Sequence, residues 1–335
     1  MNSESNIPDV SPGPASSQPE LPAPRPSPVR SLFMGPHGLR AGWRFVIFVA
    51  LFAVFSSIVL SALLHIPAFA RLRKEALAGT LTPGYLVIFE IVQFGTALLA
   101  AAIMSRIEKR KLGEYGIPLM GAFGKHFWQG IAWGLAFMSL ELLAMKALGG
   151  FTYGGLALAG PAIVKYAAIW GVGFVLVGFA EEFVFRGYAQ FTLATGIGFW
   201  PAAILLSAVF GGAHLFNSGE DWVGAASVFV FGMFACFTLW RTGSLWFAIG
   251  FHAAGDYAES FIYSVPDSGN MATGHLLHSS FHGPAWLTGG AVGPEGSVLA
   301  FAIFLIAFLI FAWLYPSKPS ELRGSSQTAP QGADL

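Results

Sequence analysis

Six ionisable residues gather at three places in the apolar sequence of this chain. Glu181, Glu182 and Arg186 share one run, His214 ends the next, and His252 and Asp256 share a third. An ionisable side chain at the centre of a bilayer costs about 2.5–3.5 kcal/mol or more, so it is retained for function or for a buried pairing. Helical spacing selects the pairs that can act together. Glu182 and Arg186 stand four apart, on one face, as an ion pair. His252 and Asp256 are also four apart, so the carboxylate can orient the imidazole or join it around a common ligand. Phe210 and His214 share a face in the same way, the ring shielding the imidazole from lipid. The chemistry these types suit is hydrolysis. A carboxylate beside a histidine polarises and deprotonates water, and a further donor stabilises the oxyanion that forms. The same set suits a zinc-like ion whose bound water is the nucleophile. Residue types leave both mechanisms open.

Apolar helices must position these groups. Of the 335 residues 55% are hydrophobic and 11% charged, whereas soluble domains are about a quarter charged. Formal net charge is zero, which gives no argument for nucleic acid as a partner. The lone cysteine, Cys236, lies in an apolar run and excludes an internal disulfide framework. Eight apolar segments follow one another: 43–64, 84–104, 127–147, 165–190, 198–214, 222–240, 244–262 and 296–315. Lipid-exposed backbone must satisfy its own hydrogen bonds, so each is predicted helical. The expected fold is an all-α polytopic membrane bundle of about eight transmembrane helices, with its partner the lipid bilayer.

Residues 1–38, rich in Pro and Ser, read as a disordered cytoplasmic tail; 39–316 form the membrane domain, and 317–335 a disordered C-terminal tail. Cations flank the first helix (Arg40, Arg44), fill the second loop (Arg106, Lys109, Arg110, Lys111) and follow the last helix (Lys318, Arg323). The first loop, with Arg71, Arg73 and Lys74, is the one dissenter. The positive-inside rule then sets both termini in the cytoplasm, and the expected location is a bacterial inner membrane. A turn at 195–199 joins the fourth and fifth helices as an antiparallel hairpin. Glu181 and His214 both lie roughly 20 Å from that turn at 1.5 Å per residue, so they can meet at one level. His252 lies only about two turns beyond the turn at 241–244, and joins them only if that turn sits deeper.

Glu-Glu-x-x-x-Arg at 181–186, Phe-x-x-x-His at 210–214 and His-x-x-x-Asp at 252–256, in that order on successive membrane helices, resemble the motifs of the CPBP family. That family comprises the type II CAAX-protein endopeptidases and the bacteriocin-processing or self-immunity (ABI) proteins. The resemblance covers about residues 165–262 and includes the stretch Arg241 to Trp246. It implies an intramembrane endopeptidase acting on a membrane-associated peptide or protein, through a cavity open to the cytoplasm. Glu181 would be the general base, assisted by His214. His252 and Asp256 would stabilise the oxyanion or, with Glu181 and His214, hold a divalent metal such as zinc. Glu182, Arg186 and Phe210 would support the geometry. Many members carry Asn at position 256, and an ionised Asp cannot donate to an oxyanion. Two other classes compete with this reading: a non-catalytic peptide-binding or bacteriocin self-immunity protein, and a proton-coupled transporter, since intramembrane Glu and His also mark ion pathways.

Other polar residues read more plainly. Glu90 is a cavity-lining candidate, Glu141 pairs structurally with Lys146 near a helix end, and His275, His278 and His282 belong to a solvated or lid-forming loop.

Overall fold

The computed structural model describes residues 27–35 and 38–316. Nine helices organise the membrane domain: α1 (Ala41–Leu64), α2 (Pro67–Leu77), α3 (Pro83–Glu108), α4 (Lys125–Ala147), α5 (Pro161–Ile197), α6 (Phe199–His214), α7 (Trp222–Thr242), α8 (Trp246–Asp256) and α9 (Val298–Leu314). All eight apolar segments are helical, and the fold is an all-α membrane bundle. Five helices, α1, α3, α4, α5 and α7, are long and apolar enough to cross a membrane. α6 and α9 are shorter apolar helices of 16 and 17 residues. α8 has 11 residues and runs on into a π-turn at Tyr257–Ile262.

Local chemistry fixes where the helices begin and end. Pro67, Pro83 and Pro161 occupy the first turns of α2, α3 and α5, where a missing N–H costs nothing. The Asp221 carboxylate accepts from the amides of Val223 and Gly224 and so caps α7. At the other end of α7, Gly243 takes a left-handed conformation with φ 77°. The amphipathic α2 carries Arg71, Arg73 and Lys74, the cations that dissent from the charge rule.

α8 is enclosed: every residue from Trp246 to Ala254 is buried. Its closest neighbour is α4, which it meets over Gly130 and Gly134. A Cβ on these would lie 2.2 Å from the Phe247 carbonyl oxygen and 2.3 Å from that of Phe251. Without a hydrophobic drive inside lipid, such small-residue stripes let backbones approach and maximise dispersion contact. Phe234, Phe247, Phe251, Phe304 and Phe311 pack around this pair as one aromatic core.

The two ends of the bundle differ. At one end Thr80–Leu81 pairs with Met271–Ala272, and Phe151–Thr152 with Ser280–Phe281, so the loop 263–297 roofs the helices. At the opposite end Arg44 binds Glu108 at 2.8 Å and Thr195 at 2.6 Å, and Tyr188 also donates to Glu108.

The described residues before Arg40 belong to a separate unit in which Pro28–Phe33 is helical and Met34–Gly35 pairs with Gly38–Leu39. Most of the expected N-terminal tail and all of the C-terminal tail lie outside the described residues.

A side chain at the α4–α8 crossing cannot be absorbed without moving backbone. Gly134→Leu is expected to destabilise the protein by at least the ~1–3 kcal/mol of core overpacking. Gly95→Leu, on the exposed face of α3 with nothing within 4 Å of its Cβ, should leave the thermal midpoint in detergent unchanged or higher.

Candidate active site

The site starts with a break in regular helix. α5 passes through a π-turn at Phe183–Ala189, with Gly187 at φ −83° and ψ −115°; such turns frequently mark functional positions. Glu182 and Arg186 flank its start and pair at 3.2 Å, both side chains fully buried. The guanidinium lies 4.3 Å from the Phe210 ring centroid. Gly232 of α7 makes the room, since a Cβ there would lie 2.4 Å from Arg186 Nη2.

Glu182 then reaches a second helix. Its Oε1 accepts from His252 Nδ1 at 2.9 Å, which fixes the imidazole in α8 and sets its tautomer. His252 Nε2 is left 3.6 Å from Glu181 Oε2 and 3.5 Å from Asp256 Oδ2. Phe231 stands edge-on to this imidazole at 4.6 Å. The condition set by chain length for His252 is met, because the turn before α8 is drawn inward. Leu245 donates its amide to Gly116 O, the Trp246 indole donates to Pro118 O, and Ser244 and Leu245 are buried.

His214 reaches the cavity from the end of α6. Its Nδ1 donates to the Phe210 carbonyl at 2.9 Å, and its ring meets the Phe210 ring edge-on at 4.7 Å. It lines the same cavity as Glu181, yet among the described residues the imidazole paired with Glu181 is that of His252. Equal depth along two helices fixes a level and leaves the facing direction free.

These groups border a cavity of about 170 Å³ enclosed by α3 to α9 and reaching the roof loop. It is lined from the end that carries loop 263–297, whereas the cation-rich loop 109–124 at the other end contributes nothing to its wall. The cavity therefore extends toward the roof-loop end of the bundle and away from the cation-rich one. Glu90 lines it, as anticipated. Glu141 lines it as well and forms no pair with Lys146, whose ammonium sits 4.4 Å over the Tyr153 ring. His275 and His278 have ring centroids 6.3 Å apart in the roof loop, while the backbone of His282 is tied to Gly150.

Three further carboxylates face the cavity without having drawn notice in the sequence: Glu259, Asp267 and Glu295. Glu259 was legible, since it lies three residues after Asp256 and seven after His252. Asp267 and Glu295 sit in a loop whose only signal is its lack of Lys and Arg. Burial, which outweighs hydrogen bonds from Ser260 and Ser268, pushes Asp267 up to about 6 and Glu295 up to about 8.

The expected zinc set can be tested on these atoms. A tetrahedral ion holds its donors about 2.0–2.3 Å away, and hence close to one another. Glu181, His214, His252 and Asp256 do not bring three donor atoms within 4.8 Å of one another. As arranged, they do not fit one zinc ion.

Fold and site together define an all-α membrane protein with a histidine–carboxylate centre buried among its helices. Residues 163–258, which run from α5 to the π-turn after α8, match the family model described as type II CAAX prenyl endopeptidase Rce1-like. This is the CPBP/CAAX protease family to which the three motifs pointed, and the family implies a protease. No curated protein and no solved structure matches the chain.

Removing one partner of a buried ion pair strands the other. Arg186→Leu is expected to cost about 3–5 kcal/mol, read as loss of folded protein in detergent unfolding. Glu182→Gln combined with Arg186→Leu should be less destabilised than Arg186→Leu alone, which a double-mutant cycle measures.

Proposed function

We propose that this chain is an intramembrane endopeptidase that hydrolyses a peptide bond in a membrane-associated peptide or protein, with Glu181 as its general base. The observation that carries this reading is Glu181 Oε2 beside His252 Nε2 at 3.6 Å, in a cavity whose imidazole is held by the Glu182–Arg186 pair. Glu181 is a third exposed, so water can reach it, whereas Glu182 is sealed.

In this mechanism Glu181 takes a proton from water as the oxygen attacks the scissile carbonyl. His252, with one N–H toward Glu182 and a second toward the cavity, donates to the oxyanion. When the carbon–nitrogen bond breaks, Glu181 returns its proton to the leaving amine. His214, whose Nδ1 is spent on Phe210, offers Nε2 as a further polar group on the cavity wall. Asp256 holds the cavity side of His252, a role that an acceptor suits better than donation to an oxyanion. No step is assigned to a metal, because the four side chains do not converge on one.

The arrangement of charge supports both termini facing the cytoplasm. The cavity then extends toward the opposite membrane face, beneath the loop 263–297.

Membranes expressing the wild type or Glu181→Gln at equal levels, compared by peptide-terminus profiling, test the assignment without a guess about substrate. New termini should appear with the wild type and fall by about 10²–10⁴-fold with the variant, the range of a lost general base. Asp256→Asn should keep cleavage within about tenfold of wild type, since a hydrogen-bonding side chain still holds His252. Identical termini for wild type and Glu181→Gln would favour a non-catalytic peptide-binding protein.

A further inference from the structure

The cavity holds a second constellation that hydrolysis leaves unused. Glu259 comes from the π-turn after α8, Asp267 from the roof loop and Glu295 from the turn before α9. One carboxylate oxygen of each lies within 4.8 Å of the other two. None of the three pairs with a Lys or Arg among the described residues. Hydroxyl and backbone hydrogen bonds hold them in place: Ser260 Oγ donates to Asp267 at 2.8 Å, Ser268 Oγ to Glu295 at 2.7 Å, and Gly269 N to Val292 O at 2.8 Å.

Acidic clusters are common, and two further observations point to a ligand here. Glu259 is 1% exposed, yet its Oε1 has no hydrogen-bond partner. A Cβ at Gly293, where φ is 113°, would sit 3.2 Å from that oxygen and 2.1 Å from Pro266 O, so the glycine keeps the space beside Oε1 open. Glu141, also 1% exposed, lines the same cavity from α4 with its own Oε1 unpartnered. Buried oxygens without partners are costly, and a bound cation is one of the ways, with hydrogen bonding and protonation, in which that cost is relieved.

The donor chemistry selects the class of cation. All the ligand atoms are hard oxygens, which suit calcium, magnesium or manganese better than zinc. With metal–oxygen distances of about 2.3–2.6 Å, ligands of one calcium ion stand at most about 5 Å apart, which matches the spacing of the three carboxylates. We propose that Glu259, Asp267 and Glu295 bind a divalent cation of the calcium–manganese class, which ties α8 to the roof of the cavity. This site is separate from the hydrolytic pair and does not depend on the protease reading.

Mn²⁺ is the probe, added to the purified full chain in detergent, with free Mn²⁺ read by electron paramagnetic resonance and Ca²⁺ as competitor. The wild type should bind saturably, release the ion to Ca²⁺ and rise in thermal midpoint. Asp267→Asn and Glu295→Gln should each weaken binding at least tenfold, while Glu181→Gln should bind as the wild type does. Absence of saturable Mn²⁺ and Ca²⁺ binding by the wild type would overturn the proposal whatever the variants do. So would undiminished binding in both loop variants, or its loss in Glu181→Gln, which would put the ion at the hydrolytic pair.

Discussion

An arginine sealed from both water and lipid must find its counter-charge within the protein, and here that requirement organises the centre of the bundle. Arg186 has no exposed surface, and Glu182, four residues earlier, is its only carboxylate partner among the described residues. Glu182 ends the regular first part of α5 and Arg186 lies in the π-turn that follows, both side chains buried. Phe210 supplies a ring face to the guanidinium, and Gly232 withholds a side chain where Nη2 must lie. Because the Glu182 carboxylate also accepts from His252, the pair does more than neutralise itself. It orients the imidazole that faces Glu181. Replacing one member therefore disturbs charge balance, helix geometry and the reactive centre together.

The aromatic shell around this centre sets its electrostatics. Phe210 and Phe231 flank His252 at 6.4 and 4.6 Å, and among the described residues no Lys or Arg forms an ion pair with a carboxylate that lines the cavity. In such a low-dielectric enclosure a fixed charge or dipole acts more strongly than it would in water. Glu181, part-exposed, can exchange protons with solvent, while Glu182 behind it cannot. One dipeptide thus holds two carboxylates in different roles, separated by a helical rotation of about 100°.

Much of this was legible in the residues because membranes constrain chains severely. Apolar runs had to be helices, and the spacing of four in Glu182–Arg186, Phe210–His214 and His252–Asp256 placed each pair on one face, where the structure has them. What stayed hidden has physical causes. Periodicity carries no mark of a π-turn. Matched depth placed Glu181 and His214 in one cavity, but the spacing along α8 did not foretell that His252 would be the imidazole beside Glu181. The pairing of Glu141 with Lys146 assumed that nearby opposite charges find each other, whereas the lysine settles over Tyr153. Asp267 and Glu295 reach the cavity only through the strand pairs that fold the long loop over the helices, and those are long-range contacts that local sequence does not encode.

α8 is where these layers join. It is too short to span lipid unaided, but it is enclosed by protein and does not have to. Its close approach to α4 over Gly130 and Gly134 fixes its rotation. That rotation turns His252, Asp256 and then Glu259 into the cavity in succession, spread over about 10 Å of helix axis. One member of each group, His252 and Glu259, thus lies on α8 or on the π-turn that continues it. Through Glu259 the continuation of α8 meets Asp267 and Glu295 of the roof, so the segment that presents His252 to Glu181 also reaches the cover of the cavity.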